Sequence, residues 1–257
     1  MELVDTHAHL DVPEFEADLV EVLERAASVG VGRIVCVGTT LESSRACIQL
    51  ARRYHGRIFA AVGVHPNYCA EAGEGDFEEI RALATLPEVV AVGETGLDFH
   101  HDFAPRELQL ARLRDHVSLS LSVGKPLILH ARKADEELIS VLREQARLLH
   151  GVRHCFDAEP RAAGAYLELG LHVAFGGLVA RPGYKRVKAA AEKMPSNRLL
   201  VETDCPYMAP SQVKTGRNEP AFIEHTVRAL AGIRRSTPEE IAEVTTRNAA
   251  SLFFAGR

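Results

Sequence analysis

Six residues of this chain carry side chains that bind divalent cations and recur in comparable settings: His7, His9, Glu94, His130, His154 and Asp204. His7 and His9 stand in Asp5-Thr-His-Ala-His, where the alternation of a strand turns both imidazoles to one face and toward one ion. Glu94 closes Val-Ala-Val-Gly-Glu, His130 closes Pro-Leu-Ile-Leu-His, His154 stands in Val-Arg-His-Cys-Phe, and Asp204 closes Leu-Leu-Val-Glu-Thr-Asp. Imidazole nitrogens and carboxylate oxygens suit ions of the Zn, Mn, Ni or Mg type. Six donors exceed what one four-coordinate catalytic ion takes from protein. Two divalent ions sharing a carboxylate fit the inventory better, with Glu94 as the bridge. Any one of these residues alone reads as an ordinary hydrogen-bonded side chain; their joint placement at strand ends carries the reading.

The elements that must position them follow from the hydrophobic pattern. Short apolar, β-branched runs at 3–7, 33–38, 58–64, 89–94, 126–130, 152–156, 172–175 and 199–204 read as strands. Helical periodicity falls at 14–28, 41–53, 105–123, 135–149, 160–169, 183–193, 220–231 and 238–248. Strand and helix alternating in this way predict parallel strands with crossover helices, an α/β chain closed as a (β/α)₈ TIM barrel. An open doubly wound sheet would need a phosphate-binding glycine fingerprint after the first strand, where this chain has Thr-His-Ala-His. In a barrel the chemistry sits at the C-terminal ends of the strands, where the six residues fall.

No linker-like or low-complexity tract divides the 257 residues, so one domain spanning 1–257 is expected. The start of the chain lacks the pattern of a secretory signal, and no apolar run approaches a membrane span; a cytoplasmic location and no membrane contact are expected. The five cysteines are odd in number and lack CxxC spacing, which argues against a disulfide framework or a thiolate zinc knuckle. A net charge of −5 argues against a protein that coats nucleic acid along its length, but not against one that grips a few phosphates. Nothing in the pattern indicates a protein partner.

The chain resembles the TatD-type deoxyribonucleases within the amidohydrolase-like metal-dependent hydrolases. The resemblance spans nearly all of it: Asp5-Thr-His-Ala-His-Leu10, Gly63-Val-His-Pro66, Gly93-Glu-Thr-Gly-Leu-Asp-Phe99, Pro126-Leu-Ile-Leu-His-Ala-Arg132, His154-Cys-Phe156, Leu199-Leu-Val-Glu-Thr-Asp-Cys-Pro-Tyr207, Arg217-Asn-Glu-Pro220 and Asn248. It implies a TIM barrel that hydrolyses phosphodiester bonds in DNA, of the 3′–5′ exonuclease type acting on ends or single strands. By the same resemblance His7, His9, Glu94 and Asp204 hold one ion and Glu94, His130 and His154 the other, while His65 contacts substrate. One departure is Asp157-Ala158, where the family usually has Ser-Gly after His-Cys-Phe. An extra carboxylate there is expected to reshape the loop and alter substrate preference.

Asp204, together with Glu94, is expected to be catalytic, Asp204 acting as general base. Glu202, one layer deeper on the same face, either orients a ligand or joins a buried ion pair. Arg132 should emerge on the rim near His130, where a guanidinium fork suits phosphate. From 176 to 220 eight Lys and Arg (Arg181, Lys185, Arg186, Lys188, Lys193, Arg198, Lys214, Arg217) face four acids, and Arg217 is the sharper phosphate candidate among them. His100 and His101 are candidates for touching substrate, and Tyr184 and Tyr207 for stacking on bases. Two rival readings use the same residues: metal-dependent hydrolysis of a carboxylic ester or amide, such as an aminoacyl-tRNA ester, and a non-catalytic metal or nucleic-acid binding protein.

Overall fold

A computed structural model of the chain describes residues 2–145, 148–213 and 216–255. Eight strands form one sheet in sequence order, every neighbouring pair parallel: β1 (Leu3–Ala8), β2 (Val31–Val37), β3 (Ile58–Val62), β4 (Val89–Asp98), β5 (Leu127–Arg132), β6 (Gly151–Arg153), β7 (His172–Phe175) and β8 (Leu199–Val201). The helices that alternate with them are α1 (Leu19–Ser28), α2 (Leu41–Arg53), α3 (Asp76–Leu83), α4 (Arg106–Val123), α5 (Asp135–Arg143), α6 (Pro160–Glu168), α7 (Lys185–Lys193), α8 (Ile223–Arg234) and α9 (Pro238–Phe253). Hydrogen bonds from Asp204 N to His7 O (2.9 Å) and from His9 N to Cys205 O (2.8 Å) bring the β8 end against β1. This is the expected (β/α)₈ barrel, and the seam joins two of its chemistry-bearing segments.

Each strand gives an aliphatic residue to one apolar cluster in the barrel interior: Val4, Val35, Ala61, Ala91, Ile128, Val152, Ala174 and Leu200 among them. Leu252, Phe253 and Phe254 at the end of α9 pack into the same cluster and plug one end of the barrel. The larger cluster joins the strands' other faces to the helices. With the interior packed, the open end alone is left for chemistry.

Three differences from the sequence pattern bear on the site. Helix 14–28 is broken: a 3₁₀ turn at Pro13–Phe15 precedes α1. The cause is tertiary, because the Glu14 carbonyl that a continuous helix would use accepts from Arg217 Nη1 at 2.6 Å. Helix 135–149 stops at Arg143, where the last bonds tighten to Glu144 N–Val141 O and Gln145 N–Leu142 O. β4 runs on to Asp98 by pairing with β5, so Glu94 lies within a strand, at the register shift between Val92 and Thr95.

The close approach of β4 and β5 depends on Gly96, which has φ 141° and pairs with His130. A Cβ there would strike the His130 backbone carbonyl. Gly96→Ala is therefore expected to destabilise the barrel by about 1–3 kcal/mol and to lower activity by displacing His130. Thermal unfolding and turnover unchanged from wild type would contradict this.

Candidate metal centre

The two oxygens of Glu94 face two different groups of imidazoles. Oε2 lies 3.4 Å from His7 Nε2 and 3.7 Å from His9 Nε2. Asp204 Oδ1 completes that side, 3.8 Å from His7 Nε2 and 3.5 Å from His9 Nε2. On the other side Oε1 lies 2.7 Å from His154 Nε2, 2.9 Å from His130 Nδ1 and 3.5 Å from His65 Nε2. All six residues singled out by type and spacing thus meet in one buried cluster. His154 is the residue after β6 and Asp204 lies beyond β8, in the left-handed region at φ 58°. Cys155, at φ 43°, turns the chain sharply after His154, and such backbone strain is commonly held at functional sites.

The donor set fits divalent cations. His7 Nε2 and His9 Nε2 point at each other across 3.2 Å with two carboxylate oxygens beside them, as nitrogens do that converge on one ion. His9 Nδ1 is hydrogen-bonded to the Val37 carbonyl at 2.9 Å, which fixes a proton there and makes Nε2 the nitrogen that loses its proton to bind a cation. His65 has the opposite tautomer. Its Nδ1 accepts from Asn67 N at 3.1 Å, so Nε2 carries the proton and points a donor at Glu94.

Burial opposes charge throughout the cluster, and neighbours decide the outcome. His65 yields to burial and falls to about 3, and His7 is lowered by burial and by His154. For His9 burial is outweighed by Asp204 and Glu94, which hold the imidazole up to about 9; for His154 Glu94 and Glu202 raise it to about 10. Glu94 and Asp204 stay below the usual carboxylate range because the surrounding histidines overcome the burial penalty. A divalent cation competes with protons for these nitrogens, so metal affinity rises with pH.

Asp98, buried at the end of β4, has no place among the six. Its Oδ1 accepts from the backbone N–H groups of His100 (2.9 Å) and His101 (3.0 Å). Its Oδ2 meets His101 Nδ1 at 2.9 Å and Asn67 Nδ2 at 3.2 Å, and lies 3.6 Å from His130 Nε2. It thereby steadies His130 from behind, and the Gly-Glu-Thr-Gly-Leu-Asp motif containing it was the available signal. Glu202 plays a similar part: Oε1 accepts from Cys155 N and lies 3.6 Å from His154 Nδ1.

Other expected contacts fall differently. Arg132 is exposed at the end of β5 on the rim. Arg217 is not brought to the cluster: it makes a two-pronged pair with Asp18 (2.8 and 2.7 Å), lies 3.7 Å from Glu219 and covers the Phe15 ring. Arg181 binds the Ala209 carbonyl, Tyr184 packs on the core, and Lys214 lies outside the described residues. Tyr207 is exposed, its ring edge-on to the His9 imidazole with centroids 5.7 Å apart. Asp157 is engaged elsewhere: its Oδ1 accepts from Arg153 Nη2 at 2.9 Å, so the extra carboxylate pairs with a buried guanidinium and forms no hydrogen bond or ion pair with the six-residue cluster.

The fold and the chemistry of the cluster define a metal-dependent hydrolase of the amidohydrolase-like barrel class, and comparison with known proteins agrees. The family model described as TatD related DNase matches residues 4–254. An uncharacterized metal-dependent hydrolase of Bacillus subtilis, YabD, is 36% identical over 252 residues, covering 98% of each chain. A protein of Edwardsiella piscicida named 3′-5′ ssDNA/RNA exonuclease TatD is 34% identical over 258 residues, covering 98% of this chain and 99% of its own. The crystal structure of YjjV, a TatD homologue from Escherichia coli, superposes with a TM-score of 0.92 at 31% identity, covering 98% and 97% of the two chains. The chain belongs to the TatD family. Among the described residues no helix is long and apolar enough to cross a membrane.

Proposed function

We propose that the protein is a two-metal phosphodiesterase that removes nucleotides from the 3′ ends of single-stranded DNA. The observation that carries the reading is the split of Glu94: one oxygen faces His7 and His9, the other His130 and His154. His7, His9, Asp204 and Glu94 Oε2 would hold one ion, and Glu94 Oε1, His130 and His154 the other. Such ions lower the pKa of a water and take up charge on the phosphoryl oxygens. The relatives named as 3′-5′ ssDNA/RNA exonucleases support a nucleic-acid substrate.

The protein's own groups then have distinct tasks. Asp204 is the more accessible of the two carboxylates, its side chain 11% exposed against 3% for Glu94, so it is the one that can take a proton from the attacking water. His65, holding its proton on Nε2, donates toward the oxygen of a phosphate or of Glu94. Arg132 on the rim supplies a fork for a neighbouring phosphate.

The test is a digest of single-stranded DNA labelled at the 3′ or the 5′ end, with manganese or magnesium and with a chelator. Release of the 3′ label first, abolished by the chelator and restored by metal, is the expected result. No release from either end, with turnover of an ester or amide substrate, would overturn the reading.

A further inference from the structure

Large apolar side chains left in water at the open end of the barrel have a pattern. Tyr68, Phe103 and Tyr207 are exposed on the segments that follow β3, β4 and β8, and Phe103 is the most open of them at 63%. Its ring is not loose. It stacks on the His101 imidazole with centroids 5.1 Å apart and planes 5° from parallel. His101 is itself fixed, with Nδ1 2.9 Å from Asp98 Oδ2 and its backbone N–H on Asp98 Oδ1. Asp98 lies 3.6 Å from His130 Nε2, and His130 touches Glu94. Phe103 is thus tied by a short chain of contacts to the metal centre, with one face covered by His101 and most of the ring open to solvent.

Charges of both signs lie nearby: the exposed Asp102 adjoins Phe103, and two cations stand on the segment that pairs with the end of β4. Arg132 ends the neighbouring strand and Lys133 follows it, both exposed and neither in an ion pair with another described residue. Both act on the His100 imidazole beside His101, which is lowered by desolvation and then by these two charges. His100 packs edge-on to His101 at 4.6 Å. An exposed aromatic face, backed by His101 and near two cations and a phosphodiesterase centre, matches what a single-stranded nucleic acid offers: a flat base and a phosphate on each side of it. Inside a duplex both faces of a base are already covered by stacking on its neighbours, whereas an unpaired, unstacked base offers one freely.

We propose that Phe103, backed by His101 and with Arg132 and Lys133 on the adjoining segment, stacks on an unpaired nucleobase adjoining the cleaved phosphodiester, and so selects single strands. The assignment rests on the nuclease reading above. Stacking of this kind acts on binding, so Phe103→Ala should raise KM for a single-stranded oligonucleotide about tenfold with little change in kcat. Phe103→Trp should behave like wild type. Oligonucleotides made abasic at successive positions from the cleaved end should include one on which wild type and Phe103→Ala have equal KM, and that position locates the stacked base. Equal KM for wild type and Phe103→Ala on the unmodified oligonucleotide would overturn the stacking proposal while leaving the nuclease reading intact, as would an abasic series in which no position removes their difference. No cleavage of any strand by the metal-loaded wild type would overturn the nuclease reading itself.

Discussion

Replacing Glu94 with alanine should lower turnover by about 10³-fold or more while leaving the barrel folded. The estimate follows from the several kcal/mol of charge stabilisation that a metal pair supplies, at 1.36 kcal/mol per decade. Glu94 touches both halves of the centre, with Oε2 within 3.7 Å of His7 and His9 and Oε1 within 2.9 Å of His130 and His154. On the two-ion reading its loss removes a donor from each ion at once, which no other residue of the cluster does. The fold should survive because no apolar packing depends on this carboxylate, and the imidazoles it leaves can take up water or stay neutral. Turnover within tenfold of wild type, measured on purified protein with added manganese, would contradict the bridging role. The far-ultraviolet circular dichroism should match wild type, so that lost activity is not mistaken for lost structure.

Arg153→Ala is expected to cost about 3–5 kcal/mol of stability by stranding buried charge, a fall in Tm of roughly 10 °C. Arg153 is buried, 1% exposed, with Nε 3.2 Å from Asp135 Oδ1 and Nη2 2.9 Å from Asp157 Oδ1. The same guanidinium donates to the carbonyls of Ala131 (2.6 Å) and His154, so it also ties the ends of β5 and β6 together. Tyr166 Oη adds a 2.7 Å bond to Asp135. Burial works against the charge, but Asp135, Tyr166 and Asp157 outweigh it and keep Arg153 protonated. Removing the guanidinium leaves Asp157 and two carbonyls without this donor and Asp135 without its counter-charge, with Tyr166 still donating to it. Removing Asp157 should matter less, about 1 kcal/mol or below, because a third of that side chain is exposed and water can replace it. Thermal unfolding of the two variants checks both; a shift for Arg153→Ala no larger than that for Asp157→Ala would contradict the account.

The contrast between these two sites explains what was legible in the sequence. His7, His9, His130 and the strands that carry them could be read because alternation and apolar runs are local, and a parallel barrel sends every strand's C-terminal end to one place. Even so, the ends were imprecise. Glu94 sits inside β4, and His9, His154 and Asp204 lie beyond the ends of their strands, because pairing with neighbours sets where a ladder stops. Helix α3 (Asp76–Leu83) was invisible to the pattern, since only Phe77 and Ile80 of its eight residues are buried. Asp157 read as an added charge near the site, yet it answers Arg153, four residues earlier, whose inward direction the sequence does not reveal. Arg217 looked like a phosphate ligand and is held by Asp18, a pairing across 199 positions of chain. Asp98 steadies His130 through a contact between strands, which residue type alone does not announce. Side chains whose partners lie on the same local pattern were readable; those whose partners arrive through the fold were not.

The central claim is that Glu94 joins two divalent ions in one centre. It is tested most directly by the electron paramagnetic resonance spectrum of the metal-free chain reloaded with manganese at two equivalents. Ions bridged by one carboxylate are magnetically coupled, so the account predicts a weak signal from isolated manganese in the wild type and a strong one in Glu94→Gln. A strong isolated-ion signal in the wild type, unchanged by Glu94→Gln, would contradict it.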